Sequence, residues 1–218
     1  MPAVLVIFND LDPAAEAEYE TWYWQDHLRQ RWELFGNRPA RRYRRVAGEG
    51  REYFTFYEVE SLATFASPAY QATLREPTEG TRRIMPHFRN MSRSLCMSAL
   101  DEGDGTGGVV TTLPLHPDEA TARRLPAVLA PQFERLLAAP GITRCRLWQT
   151  DVKATRAPNP ESRLRGQSDE FVPWLIVVEG SSIERVGAAA RQLASDPVVA
   201  GANPPASPPT YTLLAALP

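Results

Sequence analysis

Two stretches of this chain repeat one another. FTFYEVESL (54–62) lines up with WLIVVEGSS (174–182), each passing from a strand through a Glu and a Ser into a helix. MSRSLCMSAL (91–100) lines up with PTYTLLAALP (209–218). The period, about 110 residues, is longer than that of any solenoid repeat. The 218 residues therefore read as two copies of one domain-sized unit rather than as one long design.

The order of elements agrees. VLVIFND (4–10) is an apolar run ending in a turn signal, a buried strand. Asp12 caps and Pro13 opens a helix that runs to about Phe35 and stops at Gly36-Asn37. PARRYRRVA (39–47) and EYFTFYEVE (52–60) form a hairpin across Gly48-Glu49-Gly50. A helical stretch over 61–75, continued irregularly over 81–88, precedes a last strand over 91–99. After the acidic, glycine-rich DEGDGTGG (101–108) the order repeats. It runs as strand 109–115, a helix over 118–139 interrupted at Pro126 and Pro131, strands 142–150 and 171–181, helix 182–195 and strand 209–217. The second copy also carries a polar, proline-bearing loop over 152–170, which is either disordered or a lid.

A β-α-β-β-α-β unit makes a four-stranded antiparallel sheet with both helices on one face, so its other face is bare. In VLVIFN and FVPWLIVV both alternation classes are apolar, as in a sheet buried on both sides. Packing the two bare faces together solves the problem within one chain. The expected fold is α+β, two tandem units pressed sheet to sheet as a barrel, with a small-molecule cavity between the sheets. The expected domains are an N-terminal half (1–100), a linker (101–108) and a C-terminal half (109–218).

In these features the chain resembles the dimeric α+β barrel superfamily, which builds such barrels from two ferredoxin-like units. Its EthD-like members carry a Trp-Tyr/His…acid-His motif near the end of the first helix, then an Arg-Tyr strand. The counterparts here are Trp22, Tyr23, Asp26 and His27, then Arg41-Arg42-Tyr43, and Ser67 to Tyr70 (SPAY) is similar to that group's second helix. The resemblance covers roughly residues 4–100. It implies a fused pseudo-dimer with one degenerate half, since Gln132-Phe133-Glu134 stands where an acid-His pair would fall. The superfamily includes muconolactone isomerases, polyketide cyclases, cofactor-free monooxygenases and haem enzymes, and fold alone does not choose among them.

His27 is the leading candidate for chemistry, because an imidazole takes and returns protons near neutral pH without a cofactor. At helical spacing Tyr23 and Arg31 flank it on one stripe, with Trp24, Leu28 and Phe35 on an adjacent, core-like stripe. The structural alternative has His27 packing on Trp24 or Trp32. Asp26 orients His27 only if the helix unwinds there. Tyr43, Tyr53 and Tyr57 are candidate holders of a substrate oxygen, but which of them faces a cavity depends on strand register. Asn9 and Trp22 complete the candidate binding set. The cluster RPARRYRR (38–45) reads as a strand face paired with Glu58 and Glu60, or as a carboxylate site. His87 is the candidate ligand in the haem alternative.

The formal net charge of −2 provides no field for nucleic acid. The first apolar run is far short of the roughly 20 residues that span a bilayer, so the expectation is a cytoplasmic protein without a membrane segment. Cys96 and Cys145 are expected as buried free thiols. No GxGxxG, P-loop, HExxH or GxSxG pattern occurs. The expected function is cofactor-independent acid–base chemistry by His27, Tyr23 and Asp26 on a small aromatic or polyketide-like, carbonyl-bearing molecule, by a monomer or homodimer. A non-catalytic binding role and a cofactor-free monooxygenase or haem protein are the alternatives.

Overall fold

The computed structural model describes residues 2–218. Eight strands form a closed barrel: β1 (Ala3–Leu11), β2 (Ala40–Ala47), β3 (Tyr53–Val59), β4 (Phe88–Glu102), β5 (Val109–Leu115), β6 (Ile142–Thr150), β7 (Trp174–Gly180) and β8 (Thr210–Leu217). Their order around the barrel is β1-β3-β2-β8-β5-β7-β6-β4, with every neighbouring pair antiparallel. Strands β4-β1-β3-β2 and β8-β5-β7-β6 are thus two sheets of identical internal order. Each edge of the first sheet meets the opposite edge of the second, β2 on β8 and β4 on β6. Closure within one chain leaves no edge strand exposed.

The helices lie outside. They are α1 (Glu16–Trp22) and α2 (Leu28–Leu34), α3 (Pro68–Arg75), α4 (Glu79–Ile84), α5 (Glu119–Leu137), the short α6 (Val152–Thr155) and α7 (Ser162–Arg165), α8 (Ile183–Ala194) and α9 (Pro197–Ala200). Period-2 alternation sends one set of strand side chains inward. Val4, Val6, Phe8, Tyr43, Phe54, Phe56, Trp148, Leu175, Val177 and Tyr211 pack one another in the barrel interior. The expected cavity between the sheets is therefore corrected: large rings fill that space, with Phe8 and Tyr43 both stacked on Phe54. The opposite set, Leu5, Tyr53, Tyr57, Leu95 and their neighbours, lies under α1–α4, and an equivalent layer lies under α5 and α8.

Four local expectations are also revised. The first helix, unbroken from Pro13 to Leu34, is not uniformly α: it opens with a 3-10 turn capped by Asp12, and a π turn over Tyr23–His27 links α1 to α2. Helix α5 runs unbroken through Pro126 and Pro131, because its stripe Leu125, Leu129, Phe133 and Leu136 is buried on the second sheet and holds the geometry that two prolines alone would break. Strand β4 extends through Asp101 and Glu102, since Arg144 clamps Asp101 from the adjacent strand. The Arg cluster pairs with Glu20, Glu16 and Glu52, while Glu58 meets Arg146. Both cysteines are buried and free. No described helix is long and apolar enough to cross a membrane.

Candidate functional site

The π turn sets the site. The Leu28 amide donates to the Tyr23 carbonyl, five residues back, so one extra residue is accommodated in the turn. Side chains five apart are brought together instead of four apart. The imidazole of His27 consequently stacks on the indole of Trp22, with centroids 4.3 Å apart, and meets the edge of Tyr23 at 5.3 Å. Trp24 is turned out to solvent at 51 % exposure, against its expected place in the core.

Trp22 is itself anchored. Its Nε1 donates to Thr81 Oγ1 at 3.3 Å, Thr81 Oγ1 lies 3.0 Å from Thr78 Oγ1, and Thr78 Oγ1 donates to Asp26 Oδ2 at 2.6 Å. With the Thr78 proton committed to the carboxylate, the Thr81 hydroxyl donates to Thr78, and the chain of donors runs from the indole to Asp26. Asp26 thus lies on the far side of the helix from the cavity, and its expected contact with His27 is not made.

His27 lines a small cavity of about 30 Å³, room for roughly one water, between the helix and the outer face of the first sheet. From the sheet come Leu5, Ile7, Asn9, Tyr57, Met91 and Arg93; from the helices come Tyr23, Arg31, Tyr70 and Met85. The 152–170 segment supplies Asn159, Glu161 and Arg165 as a cover. This segment is folded: α7 is held by a 2.5 Å ion pair between Arg31 and Glu161 and by the bidentate Arg165–Asp169 pair, and α6 by the Leu95 amide donating to Thr155 Oγ1.

Of the candidate residues, the structure brings His27, Tyr23, Tyr57 and Asn9 to one cavity. The Tyr57 and Tyr23 hydroxyls lie 3.2 Å apart, and Tyr23 donates to Thr55 Oγ1. Asn9 Nδ2 reaches the Tyr19 hydroxyl at 3.5 Å. Trp22 stands behind His27 rather than in the wall. Tyr43 points into the barrel interior, and Tyr53 packs on Tyr19 beneath Arg42 without reaching the cavity. The basic wall of Arg31, Arg93 and Arg165 was not among the candidates. Arg31 had a visible signal, one turn beyond His27, but Arg93 sits in an ordinary alternating strand and Arg165 in a segment of disorder-like composition.

The electrostatics are asymmetric. Burial, and then the cations of Arg31 and Arg42, hold the His27 imidazole well below its usual range, so it is neutral at neutral pH. Its Nδ1 is buried and has no hydrogen-bond partner among the described residues. Burial pushes the Tyr57 phenol far up, so it remains a donor. Arg42, fully buried, grips Glu20 through both terminal nitrogens and lies over the rings of Tyr19, Tyr23 and Tyr53. In the second half the comparable layer is filled by Leu125, Leu129 and Phe133.

The architecture is the α+β barrel fold of the dimeric α+β barrel proteins. No protein-family model matches the sequence, and no curated protein matches it. Among solved structures, an anthrone oxidase-like protein superposes with a TM-score of 0.55 at 14 % identity, covering 99 % of this chain and 92 % of that one. A mutant chlorite dismutase from Candidatus Nitrospira defluvii gives a TM-score of 0.58 at 9 % identity over 98 % and 91 % of the two chains. A haem-binding protein from Thermus thermophilus gives 0.56 at 14 % identity, also over 98 % and 91 %. At such identities the likeness is one of fold.

The residues lining this cavity do not fit a haem. The cavity is crossed by the Arg31–Glu161 pair, leaving no flat apolar slot, and its imidazole lies face down on Trp22. His87 is outside the cavity, half-exposed and 3.8 Å from Asp12.

Proposed function

We propose that the chain is a tandem-fused, EthD-like pseudo-dimer whose N-terminal half keeps the working cavity. There it binds a small aromatic or polyketide-like molecule bearing a carbonyl and moves a proton on it without a cofactor. The observation that carries this reading is the state of His27, a buried, neutral imidazole in a cavity wall, fixed by Trp22 and with a ring nitrogen unmet by any protein group. A neutral imidazole is in the form that takes a proton from carbon next to a carbonyl. Burial and the Arg cations weaken it as a base, so the step needs the enolate charge formed beside it to stabilise the imidazolium until the proton is returned elsewhere, as isomerisation, cyclisation or carbon–carbon lysis requires. The Tyr57 hydroxyl, whose proton is directed to the Tyr23 oxygen in the free protein, turns it to the ligand and holds the oxygen on which charge develops. Met85, Phe88 and Met91 supply the apolar wall. Because the barrel closes within the chain, no second subunit is needed to complete it.

The same base beside phenols suits deprotonation of a hydroxyaromatic before reaction with dioxygen, a reading favoured by the fold likeness to an anthrone oxidase-like protein. Oxygen uptake during turnover separates the two. The test is a thermal-shift screen of aromatic acids and lactones, with each hit incubated with wild type and with His27→Gln and analysed by mass spectrometry. Conversion by wild type alone, with binding retained in the variant, supports the role of His27. Equal conversion by both removes it, and binding without conversion returns the protein to the accessory class.

A further inference from the structure

The charges around the cavity do not balance. Arg31 is matched by Glu161, and Arg165 by Asp169. Among the described residues Arg93, only 7 % exposed, has no carboxylate partner, and its one side-chain hydrogen bond is to the Tyr70 hydroxyl at 3.1 Å. Arg31 is 3 % exposed, and its Nη1 has no acceptor among the described residues. The two guanidinium groups converge on one ring, since Arg31 also lies over Tyr70, with its Cζ 5.6 Å from the centroid. With His27 neutral, one positive charge in the wall is left unmatched, and a buried guanidinium without a counter-charge is costly.

A ligand removes that cost if it brings the missing acceptors. We infer that the cavity, widened by movement of the 152–170 segment that covers it, selects a carboxylate, an aromatic or alicyclic acid whose carboxyl group lies on Arg93 and on Arg31 Nη1, with its ring toward Met85, Phe88 and Met91. Guanidinium groups fit this role because their fixed donors match the two oxygens of a carboxylate. The inference rests on the cavity being the binding site proposed above, and it adds the charge of the substrate. It also places the negative end of the ligand at Arg93 and the reacting carbon toward His27, which requires the acid and the acidic C–H to be separate features of the molecule.

Isothermal titration at pH 7.5 and fixed ionic strength, comparing benzoate and 2-naphthoate with benzamide and 2-naphthamide, tests it. At least one acid binds about tenfold or more tightly than its own amide. Arg93→Gln abolishes that preference, Arg93→Lys keeps it at reduced affinity, and His27→Gln leaves it in place. Amides binding as well as acids, no acid binding, or an acid preference that survives Arg93→Gln overturns the inference. The wild-type comparison and Arg93→Lys decide the matter if Arg93→Gln does not fold. Failure of wild type to convert any hit, with the acid preference intact, sinks only the acid–base role of His27.

Discussion

The indole of Trp22 and the imidazole of His27 lie face to face, inclined by 29°, at a spacing that an uninterrupted α-helix does not place in register. The π turn creates this contact, and the contact fixes the candidate base. Trp22→Ala removes the shelf and is expected to cost about 3–5 kcal/mol of stability. It also lets water reach the imidazole. Denaturant unfolding measures the first effect, and NMR titration of His27 the second, as a rise of its pKa toward the ordinary value.

The depressed His27 pKa has a defined sign in stability. Above pH 6.5, the usual imidazole value, both folded and unfolded chains hold the ring neutral. As pH falls below 6.5, the unfolded chain takes up a proton that the folded cavity refuses, so stability drops until the folded pKa is passed. His27→Phe, which keeps an aromatic ring on Trp22, flattens that part of the stability–pH curve. Thermal melts between neutral and mildly acidic pH check it.

Asp26 bonds to the shelf, through Thr78, and not to His27. Asp26→Asn is expected to lower stability by about 1 kcal/mol through the weakened Thr78 bond. Ligand affinity and turnover should change by no more than a few-fold, whereas His27→Gln eliminates turnover. Loss of turnover in Asp26→Asn comparable to that in His27→Gln contradicts this assignment.

The Arg31–Glu161 pair joins the two halves across the cavity, with both side chains under a tenth exposed. Glu161→Gln leaves Arg31 buried without its counter-charge and is expected to cost about 3 kcal/mol. Hydrogen exchange should then accelerate over 152–170, with the barrel strands unchanged. Equal acceleration in β1 and β3 would instead mean that the segment and the barrel unfold together.

The architecture was legible because its signals are local and repeated: two copies of one element order, with strands apolar on both faces. The site was legible only in part. YFTFYEV in β3 offers aromatic residues to both faces, and only the register of Phe54 against Phe8 shows that Tyr53 and Tyr57 face the helices while Phe54 and Phe56 face the barrel. Tyr43 was ambiguous for the same reason. The π turn has no compositional mark, and plain helical spacing puts Trp22 in the cavity wall and Trp24 in the core. Order in 152–170 comes from partners far away in sequence, Glu161 on Arg31 and the Leu95 amide on Thr155 Oγ1, which no local pattern reveals.

The most direct test of the account is a crystal structure with the tightest hit of the ligand screen. The account predicts the ligand between the π turn and the outer face of β1, β3 and β4, with a polar atom or acidic carbon within about 3.2 Å of a His27 ring nitrogen. A ligand seated instead at the mouth of the barrel beside His116 and Tyr211, with the His27 cavity unchanged, would contradict it.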